Sequence, residues 1–287
     1  MRFGFLLKRG KPEARELAGA LAEVLIARGA GLVALAEDAG ALPGAAVVSP
    51  EALAAAIDVL VVLGGDGTFL YGAALVGDRG IPIFGVNLGS LGFITPYARS
   101  EAAAAIDEAA RGGLVIEERI RLAVSIRPPG GGAPVRAPAA VNDAVLTRSV
   151  ARLLDLEARL DGAEITTYKA DGLIVATPTG STAYSLAAGG PLLTPDLQAL
   201  VLTPISPHTL TNRPLVFRPE SRLSIRNASG GPVTLTIDGH WTEELPADAG
   251  IDVRRAERPL RLYQAPRGFF GILREKLSWG SRRVEGG

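Results

Sequence analysis

An aspartate surrounded by glycines follows an apolar segment at residues 59–70, VLVVLGGDGTFL. Glycines allow a sharp turn and let a phosphate approach the backbone amides, while the start of a following helix adds the positive end of its dipole. A carboxylate would repel phosphate, so Asp66 is expected to accept a proton from an attacking hydroxyl or to hold Mg²⁺. An isolated Asp-Gly pair is usually a turn, but this context favours a phosphate loop. The predicted loop residues are Gly64, Gly65, Gly67 and Thr68.

A second polar pair, Asn142-Asp143, interrupts the strand-like sequence VNDAVL. Asn and Asp are depleted in strands, so this pair should have polar partners. Together the amide and the carboxylate could accept hydrogen bonds from both hydroxyls of a ribose. A β-bulge or turn is the alternative, and on these two residues alone it is the favoured interpretation.

Hydroxyl side chains are concentrated within residues 166–192, where the strand-like GLIVA leads into TPTGSTAYS. Four hydroxyls, a predicted helix start and Tyr184 suit a purine, with hydrogen bonds to ring nitrogens and stacking on the aromatic face. Helix capping by Ser181 or Thr182 would account for only one of the hydroxyls. Of the two histidines, His208 is expected to be structural, while His240 could face the ligand.

Other nucleotide and catalytic motifs are absent from the sequence. There is no G-x-x-x-x-G-K-[ST], no G-x-S-x-G, and Leu70 stands where a dinucleotide fingerprint needs its third glycine. The chain has no cysteine, and its 30 basic and 30 acidic residues balance. We therefore expect no nucleic-acid or membrane partner and no built-in metal cage, and the missing signal peptide predicts a cytoplasmic protein.

The sequence pattern changes near residue 120. Before it, apolar strands alternate with helices, one of them capped by Ser100, which predicts a Rossmann-like α/β domain at residues 1–120 with a mostly parallel sheet. After it, period-two segments and turn signals predict a β-rich, antiparallel, sandwich-like domain that binds a dinucleotide at residues 121–264, interrupted by a helix around STAYSLAAGG. Residues 265–287 contain an amphipathic helix and are expected to complete the first domain.

The combination of GGDGT, Asn142-Asp143, TPTGSTAYS, ISPHTLTNRPL and FFGILREKLSWG resembles the bacterial NAD kinases over residues 64–279. GGDGT alone is less specific, because diacylglycerol kinases, sphingosine kinases and phosphofructokinases carry similar loops. The number of residues between Asn142-Asp143 and TPTGSTAYS distinguishes the NAD kinases from these other kinase families.

The resemblance implies phosphorylation by ATP and Mg²⁺ of the 2′-hydroxyl of the adenosine ribose of NAD, giving NADP. Asp66 would be the proton acceptor, Asn142 and Asp143 would hold the nicotinamide-side ribose, and Asp171 would belong to the nicotinamide or a neighbouring subunit's site. Mg²⁺ would be held with ATP, and the protein would be a homodimer or homotetramer. The further implied contacts are Gly67, Phe93, Arg152, Lys169, Thr179, Thr182, Ala183, Tyr184, Ser185, Leu186, Ala187 and His240.

Three positions depart from the family pattern. Many relatives have Asn-Glu where this chain has Asn142-Asp143, a serine is common at Ala187, and glutamine is frequent at His240. These changes affect ligand affinity more than the proposed base.

Two alternative functions remain. A lipid kinase of the diacylglycerol type would need an apolar cleft. A non-catalytic dinucleotide sensor is the other alternative, and the intact Asp66 argues against it. The sequence leaves open whether polyphosphate replaces ATP.

Overall fold

The computed structural model describes the whole chain except residues 90, 149–152, 210, 265, 266 and 278–287. The chain divides into two compact units, which we call unit 1 (Met1–Glu118 and Arg261–Gly287) and unit 2 (Arg119–Leu260). The predicted domain limits, 1–120 with 265–287 and 121–264, stay a prediction.

The described residues form six α-helices and twenty strands. The helices are α1 Pro12–Ala27, α2 Pro50–Ala56, α3 Asp66–Val76, α4 Ala102–Ala110, α5 Tyr184–Ala187 and α6 Phe269–Leu277. The strands are β1 Arg2–Leu7, β2 Gly31–Leu35, β3 Ala46–Val48, β4 Val59–Gly64, β5 Ile83–Asn87, β6 Tyr97–Ala98, β7 Ile116–Arg119, β8 Leu122–Arg127, β9 Val135–Arg136, β10 Asp143–Arg148, β11 Leu154–Leu160, β12 Ala163–Ala170, β13 Gly172–Ala176, β14 Leu200–Ile205, β15 Leu215–Phe217, β16 Leu223–Asn227, β17 Val233–Ile237, β18 Trp241–Leu245, β19 Gly250–Arg255 and β20 Leu260–Tyr263.

Unit 1 is built on one eight-stranded sheet with the order β3-β2-β1-β4-β5-β20-β7, with β6 paired to β5. The pairings of β1 with β2 and β4, and of β4 with β5, are parallel. Every residue of β4 is buried, as expected of a central strand covered on both faces. Gly64 pairs with Asn87 at the ends of β4 and β5, so α3 and the segment after β5 begin at the same carboxyl edge of the sheet.

Unit 2 contains two antiparallel six-stranded sheets, β15-β14-β13-β10-β17-β18 and β12-β11-β16-β19-β8-β9. Alternate residues of both sheets, such as Leu146, Leu173 and Ile225, share one buried cluster, so the sheets pack face to face as a sandwich. The intervening residues of β10 and β13, among them Val145 and Ile174, form a smaller cluster on the opposite face of the first sheet. The predicted fold class, a parallel α/β domain followed by an antiparallel β-rich one, is confirmed.

Two local predictions were wrong. Ser100 does not cap α4: the helix begins at Ala102, Glu101 occupies the cap position, and the Glu101 carboxylate accepts a hydrogen bond from the backbone N–H of Ala98 instead (3.0 Å). The predicted helix around STAYSLAAGG is only a 3₁₀ turn at Thr179–Thr182 followed by the four residues of α5. The backbone of Ala183, at φ −100° and ψ −131°, separates these two turns. None of the described helices is long and apolar enough to cross a membrane.

Candidate active site

The predicted phosphate loop is a direct transition from strand to helix. β4 ends at Gly64, Gly65 is the N-cap, and Asp66 is the first residue of α3. A Cβ at Gly64 would collide with the side chain of Thr68, so this glycine is required by packing within the chain. A Cβ at Gly65 or Gly67 would meet no atom within 4 Å. The absence of side chains at these two positions therefore leaves backbone open to a ligand.

The carboxylate of Asp66 is oriented by the segment that follows β5. Its Oδ2 accepts a hydrogen bond from the backbone N–H of Phe93 (3.0 Å), and its Oδ1 accepts from the N–H of Ile94 (3.3 Å) and the hydroxyl of Thr95 (2.9 Å). The side-chain amide of Asn87 donates to that hydroxyl in turn (2.9 Å). The side chain of Asp66 nevertheless remains 31% exposed, so it is fixed in direction and still accessible.

The close approach of these groups depends on Gly92. A Cβ at this position would collide with the carboxylate of Asp66 and the hydroxyl of Thr95. Thr95 and Gly92 were not predicted as site residues, because 26 or more positions separate them from Asp66 and no local pattern links them.

Asp66 lines a cavity of about 330 Å³ in unit 1. Its described lining contains three lysines and this one carboxylate. Its lining residues are Lys8, Lys11, Gly64, Gly65, Asp66, Asn87, Leu88, Gly89, Gly92 and Lys276. Lys276, on α6, places its Nζ 3.7 Å from Oδ2 of Asp66 and 4.8 Å from the ring centroid of Phe93. The predicted contact residue Phe93 thus supports the lysine with its ring and the aspartate with its amide.

In unit 2, Asn142 and Asp143 lie at the start of β10 and are held by Asp238. The carboxylate of Asp238 accepts backbone hydrogen bonds from Val141 (2.8 Å), Asn142 (2.7 Å) and Asp143 (3.1 Å). Asp238 adopts a positive φ of 51° in the turn that joins β17 to β18. Aspartate tolerates that conformation better than most residues. Asp238 therefore forms the turn with its backbone and holds residues 141–143 with its carboxylate.

These residues line a second cavity, of about 420 Å³, on the outer face of the first sheet of unit 2. Its lining combines polar side chains with the aromatic ring of Tyr184 and apolar groups. The lining residues are Asn142, Asp143, Val145, Thr147, Ala183, Tyr184, Thr236, Asp238 and Gly239. Tyr184 is 44% exposed, which leaves much of this side chain free for contact.

Two carboxylates lie close together in this second cavity. Burial first, and the negative charge of Asp238 second, raise the pKa of Asp143 to about 7. Burial also raises the pKa of Asp238, while its three backbone hydrogen bonds oppose that rise. The three donors favour the charge on Asp238, so Asp143 is the member of the pair that carries the proton near neutral pH.

Most hydroxyls of residues 177–185 are used within the chain. Thr177 donates to the carbonyl of Val141 (2.6 Å), and Ser181 donates to the carbonyl of Pro178 (2.6 Å). Ser185 shares a hydrogen bond with Thr203 (2.9 Å) and is fully buried. These groups hold the segment in place. Of the predicted substrate contacts in this segment, Ala183 and Tyr184 line the second cavity, whereas Thr179, Thr182, Ser185, Leu186 and Ala187 are not among its lining residues.

The other described candidates are not among the residues that line the second cavity, and they have partners of their own. Lys169 pairs with Asp155 (3.4 Å) and Asp171 with Arg148 (3.3 Å). The Nδ1 of His240, an exposed residue, lies 3.1 Å from the carbonyl oxygen of Asp238. His208 is exposed and its N–H donates to the carbonyl of Lys169 (2.8 Å). Arg152 lies outside the described residues. The predicted ligand roles of Arg152, Lys169, Asp171 and His240 stay predictions, and so does the structural role expected of His208.

The site in unit 1 is typical of an α/β enzyme that acts on phosphate groups. It combines backbone amides at a helix start with lysines and one accessible carboxylate. Two family models match the chain: the ATP-NAD kinase N-terminal domain over residues 3–114 and the ATP-NAD kinase C-terminal domain over residues 141–265. Together they cover most of the sequence. The chain therefore belongs to the NAD kinase family.

Curated relatives and solved structures agree with this assignment. The chain is 47% identical to an NAD kinase of Geotalea daltonii over 78% of this chain and 80% of that protein. It is 41% identical to an NAD kinase of Geobacter sulfurreducens over 94% of this chain and 96% of that protein. The structure is similar to yeast NADH kinase complexed with NADH, with a TM-score of 0.89 and 26% identity over 100% of this chain and 90% of that one. It also matches an NAD kinase from Archaeoglobus fulgidus in complex with ATP, with a TM-score of 0.76 and 25% identity over 96% of this chain and 99% of that one.

Proposed function

We propose that the protein transfers the terminal phosphoryl group of ATP to the 2′-hydroxyl of the adenosine ribose of NAD, giving NADP and ADP. The bond from the terminal phosphorus to the bridging oxygen breaks, and ADP leaves with the electron pair. The ribose oxygen forms the new bond to phosphorus, and its proton passes to Asp66. The observation that carries this proposal is the accessible carboxylate of Asp66 at the start of α3, in a cavity whose other charged groups are lysines.

The hydrogen bonds of Asp66 leave room for a proton. A carboxylate has about four lone-pair sites, and three are used by Phe93, Ile94 and Thr95. Oδ2 accepts only one of these bonds and so keeps capacity for a substrate hydroxyl. The fixed direction of the carboxylate supports proton transfer, which requires a base held within hydrogen-bond reach.

The second cavity suits the sugar and base of a nucleotide. A protonated Asp143 can donate one hydrogen bond and accept another, while the amide of Asn142 also offers both a donor and an acceptor. Tyr184 provides an aromatic surface for stacking. We therefore assign ribose binding to Asn142 and Asp143, and base contact to Ala183 and Tyr184.

Mg²⁺ fits the residues of the first cavity when it is carried by ATP. Mg²⁺ is commonly bound through one or two carboxylates together with substrate phosphates. The described residues contain no group of three or more His, Cys, Asp or Glu side chains placed to hold a metal, and Asp66 is the carboxylate among the described lining residues. The side-chain oxygen of Asn87 would supply a ligand from the chain, because the remaining lone-pair site of Asp66 is assigned to the acceptor hydroxyl. Bound there, Mg²⁺ would neutralise negative charge on the phosphates.

Three further properties are proposed, the assembly on the resemblance to the family and the other two on the sequence itself. They are a cytoplasmic location, assembly as a homodimer or homotetramer, and the absence of nucleic-acid and membrane partners. Sedimentation of the purified protein at several concentrations tests the assembly, and a monomer throughout would contradict it.

The decisive experiment compares the purified wild-type protein with Asp66→Asn in an assay with NAD and MgATP, in which NADP is detected by an NADP-specific dehydrogenase. We expect Asp66→Asn to lose about 100-fold or more in turnover, the usual contribution of a general base. Calorimetric binding of NAD should change little.

The matched control is Asp58→Asn, which makes the same substitution just before β4 begins. Its carboxylate accepts a hydrogen bond from the N–H of Arg2 (2.7 Å) and does not line the cavity of Asp66. Its turnover should equal that of the wild type. Wild-type turnover in Asp66→Asn would contradict the assignment of the base. NAD binding without NADP formation by the wild type would favour the sensor, and phosphorylation of diacylglycerol would favour the lipid kinase.

A further inference from the structure

Two lysines beside Asp66 have no assigned role. Lys8 follows β1 directly, and its backbone N–H donates to the carbonyl of Leu63 (2.8 Å), which fixes it next to the end of β4. Lys11 is the N-cap of α1. Both line the cavity of Asp66, so the ends of β1 and β4 bring their charges to the start of α3.

The charges of these lysines are not neutralised within the described part of the chain. Neither Lys8 nor Lys11 forms an ion pair with a described carboxylate, whereas Arg9, between them in sequence, binds both oxygens of Glu37 (2.8 and 2.7 Å). Lys276 pairs with Asp66, the single carboxylate among the described lining residues. The cavity therefore holds three ammonium groups against one carboxylate.

Lys8 and Lys11 are both exposed, so their ammonium groups are accessible to an anionic ligand. Their positive charges attract the negative charges of phosphate groups. The lining also includes Gly64, Gly65, Gly89 and Gly92, and glycine backbone allows close approach of a ligand. Lysine serves as a point charge for phosphates and needs no fixed fork geometry. The cavity thus has the charge and the surface for several linked phosphates.

We propose that Lys8, Lys11 and Lys276 bind the phosphate chain of the donor, whether this is the triphosphate of ATP or inorganic polyphosphate. Lys8 and Lys11 hold the phosphates that are not transferred. Lys276 exchanges its contact with Asp66 for the transferred phosphate, which frees Oδ2 of Asp66 for the acceptor hydroxyl. This assignment rests on the proposed function for the identity of the reaction, but the binding of a phosphate chain does not.

The test uses inorganic tripolyphosphate as the probe and calorimetry as the measurement. Each charge-assisted contact contributes roughly tenfold in affinity, so the double variant Lys8→Ala with Lys11→Ala should bind tripolyphosphate about 100-fold more weakly than the wild type. The KM for ATP should rise by a similar factor, while the KM for NAD should change by less than about twofold. Lys8→Arg with Lys11→Arg should restore most of the binding.

Arg9→Ala is the matched control, because it removes the same charge from the same segment but breaks only the exposed pair with Glu37. Its binding of tripolyphosphate and its KM for ATP should equal those of the wild type. Thermal unfolding of every variant checks that the fold is retained.

The outcomes separate this inference from the proposed function. Wild-type binding of tripolyphosphate by the double alanine variant, or an equal loss in Arg9→Ala, would overturn the role of the lysines, whatever the activity. A wild type that forms no NADP would contradict the proposed function and leave the binding result intact. Parallel assays with ATP and with polyphosphate identify the phosphate donor. The double alanine variant should lose activity with whichever donor the wild type uses. An unchanged rate of NADP formation would overturn the proposal.

Discussion

The two cavities place an aspartate in opposite surroundings. In unit 1, Asp66 is partly exposed, accepts three hydrogen bonds and lies beside the ammonium group of Lys276. In unit 2, Asp143 is buried and faces the charge of Asp238. The first arrangement favours an ionised carboxylate that acts on anionic ligands bound by the neighbouring lysines. The second favours a neutral carboxyl that exchanges hydrogen bonds with hydroxyls. The same residue type is therefore assigned proton transfer in one unit and recognition in the other.

Of the changes that test the difference between the two cavities, Asp238→Ala is expected to lower the stability of the protein most. This change removes the acceptor for three backbone N–H groups and leaves an alanine at positive φ. We expect the free energy of unfolding to fall by about 3 kcal/mol, measured by urea denaturation, together with weaker NAD binding.

The control for Asp238→Ala is Asp248→Ala, which also has a positive φ, at 61°. Its carboxylate makes an exposed pair with Arg226 (2.8 Å), so beyond the cost of alanine at positive φ, which both variants share, the loss should stay below about 1 kcal/mol. Equal losses in the two variants would show that backbone conformation, and not the anchor at residues 141–143, controls stability.

A smaller effect is expected from pH. The pKa of Asp143 in the folded state, about 7, lies above the value of about 3.9 for an unfolded aspartate. The folded state therefore binds more protons between these values. The stabilisation is complete below pH 4 and is lost as the pH rises through 7.

Between pH 5 and 7 this loss should be on the order of 2 kcal/mol for the wild type. In Asp143→Asn, which is neutral at every pH, most of the slope should disappear. Urea denaturation followed by tryptophan fluorescence at pH 5, 6, 7 and 8 measures it, with Trp241 packed against the core of unit 2. An unchanged slope in Asp143→Asn would contradict the assignment of the raised pKa.

The smallest effect on stability is expected from Gly67→Ala in unit 1. A Cβ at this position meets no atom within 4 Å, and alanine favours the helical backbone, so stability should rise by up to about 0.5 kcal/mol. The KM for a nucleotide should nevertheless increase, because the added methyl group occupies the open surface. A KM equal to that of the wild type would show that the surface at Gly67 is not used.

The carboxyl edge of the parallel sheet could be predicted from the sequence, because its signals are local. An apolar strand followed by glycines and Asp66 places the aspartate at the strand end whatever the rest of the chain does. The alternation of apolar residues in β8, β16 and β17 likewise predicts which face is buried.

The partners of these residues could not be predicted. Asp238 contacts residues 95 to 97 positions away, and Lys276 reaches Asp66 from the last described helix. Such contacts depend on the order of the strands in the sheets and on where distant segments meet. The periodicity of apolar residues along the sequence does not encode either. The hydroxyls at Thr177, Ser181 and Ser185 were over-interpreted for the same reason: their acceptors lie in other segments or in the turn itself.

Unit 1 is discontinuous, because β20 joins its sheet by pairing with β5 and α6 brings Lys276 to Asp66. During synthesis, the ribosome therefore releases all of unit 2 before the sheet of unit 1 gains this strand and its cavity gains the third lysine. A nascent chain halted near residue 260 would carry the aspartate without its cationic neighbour. A phosphate site that needs all three lysines would thus be complete only after both units have been made.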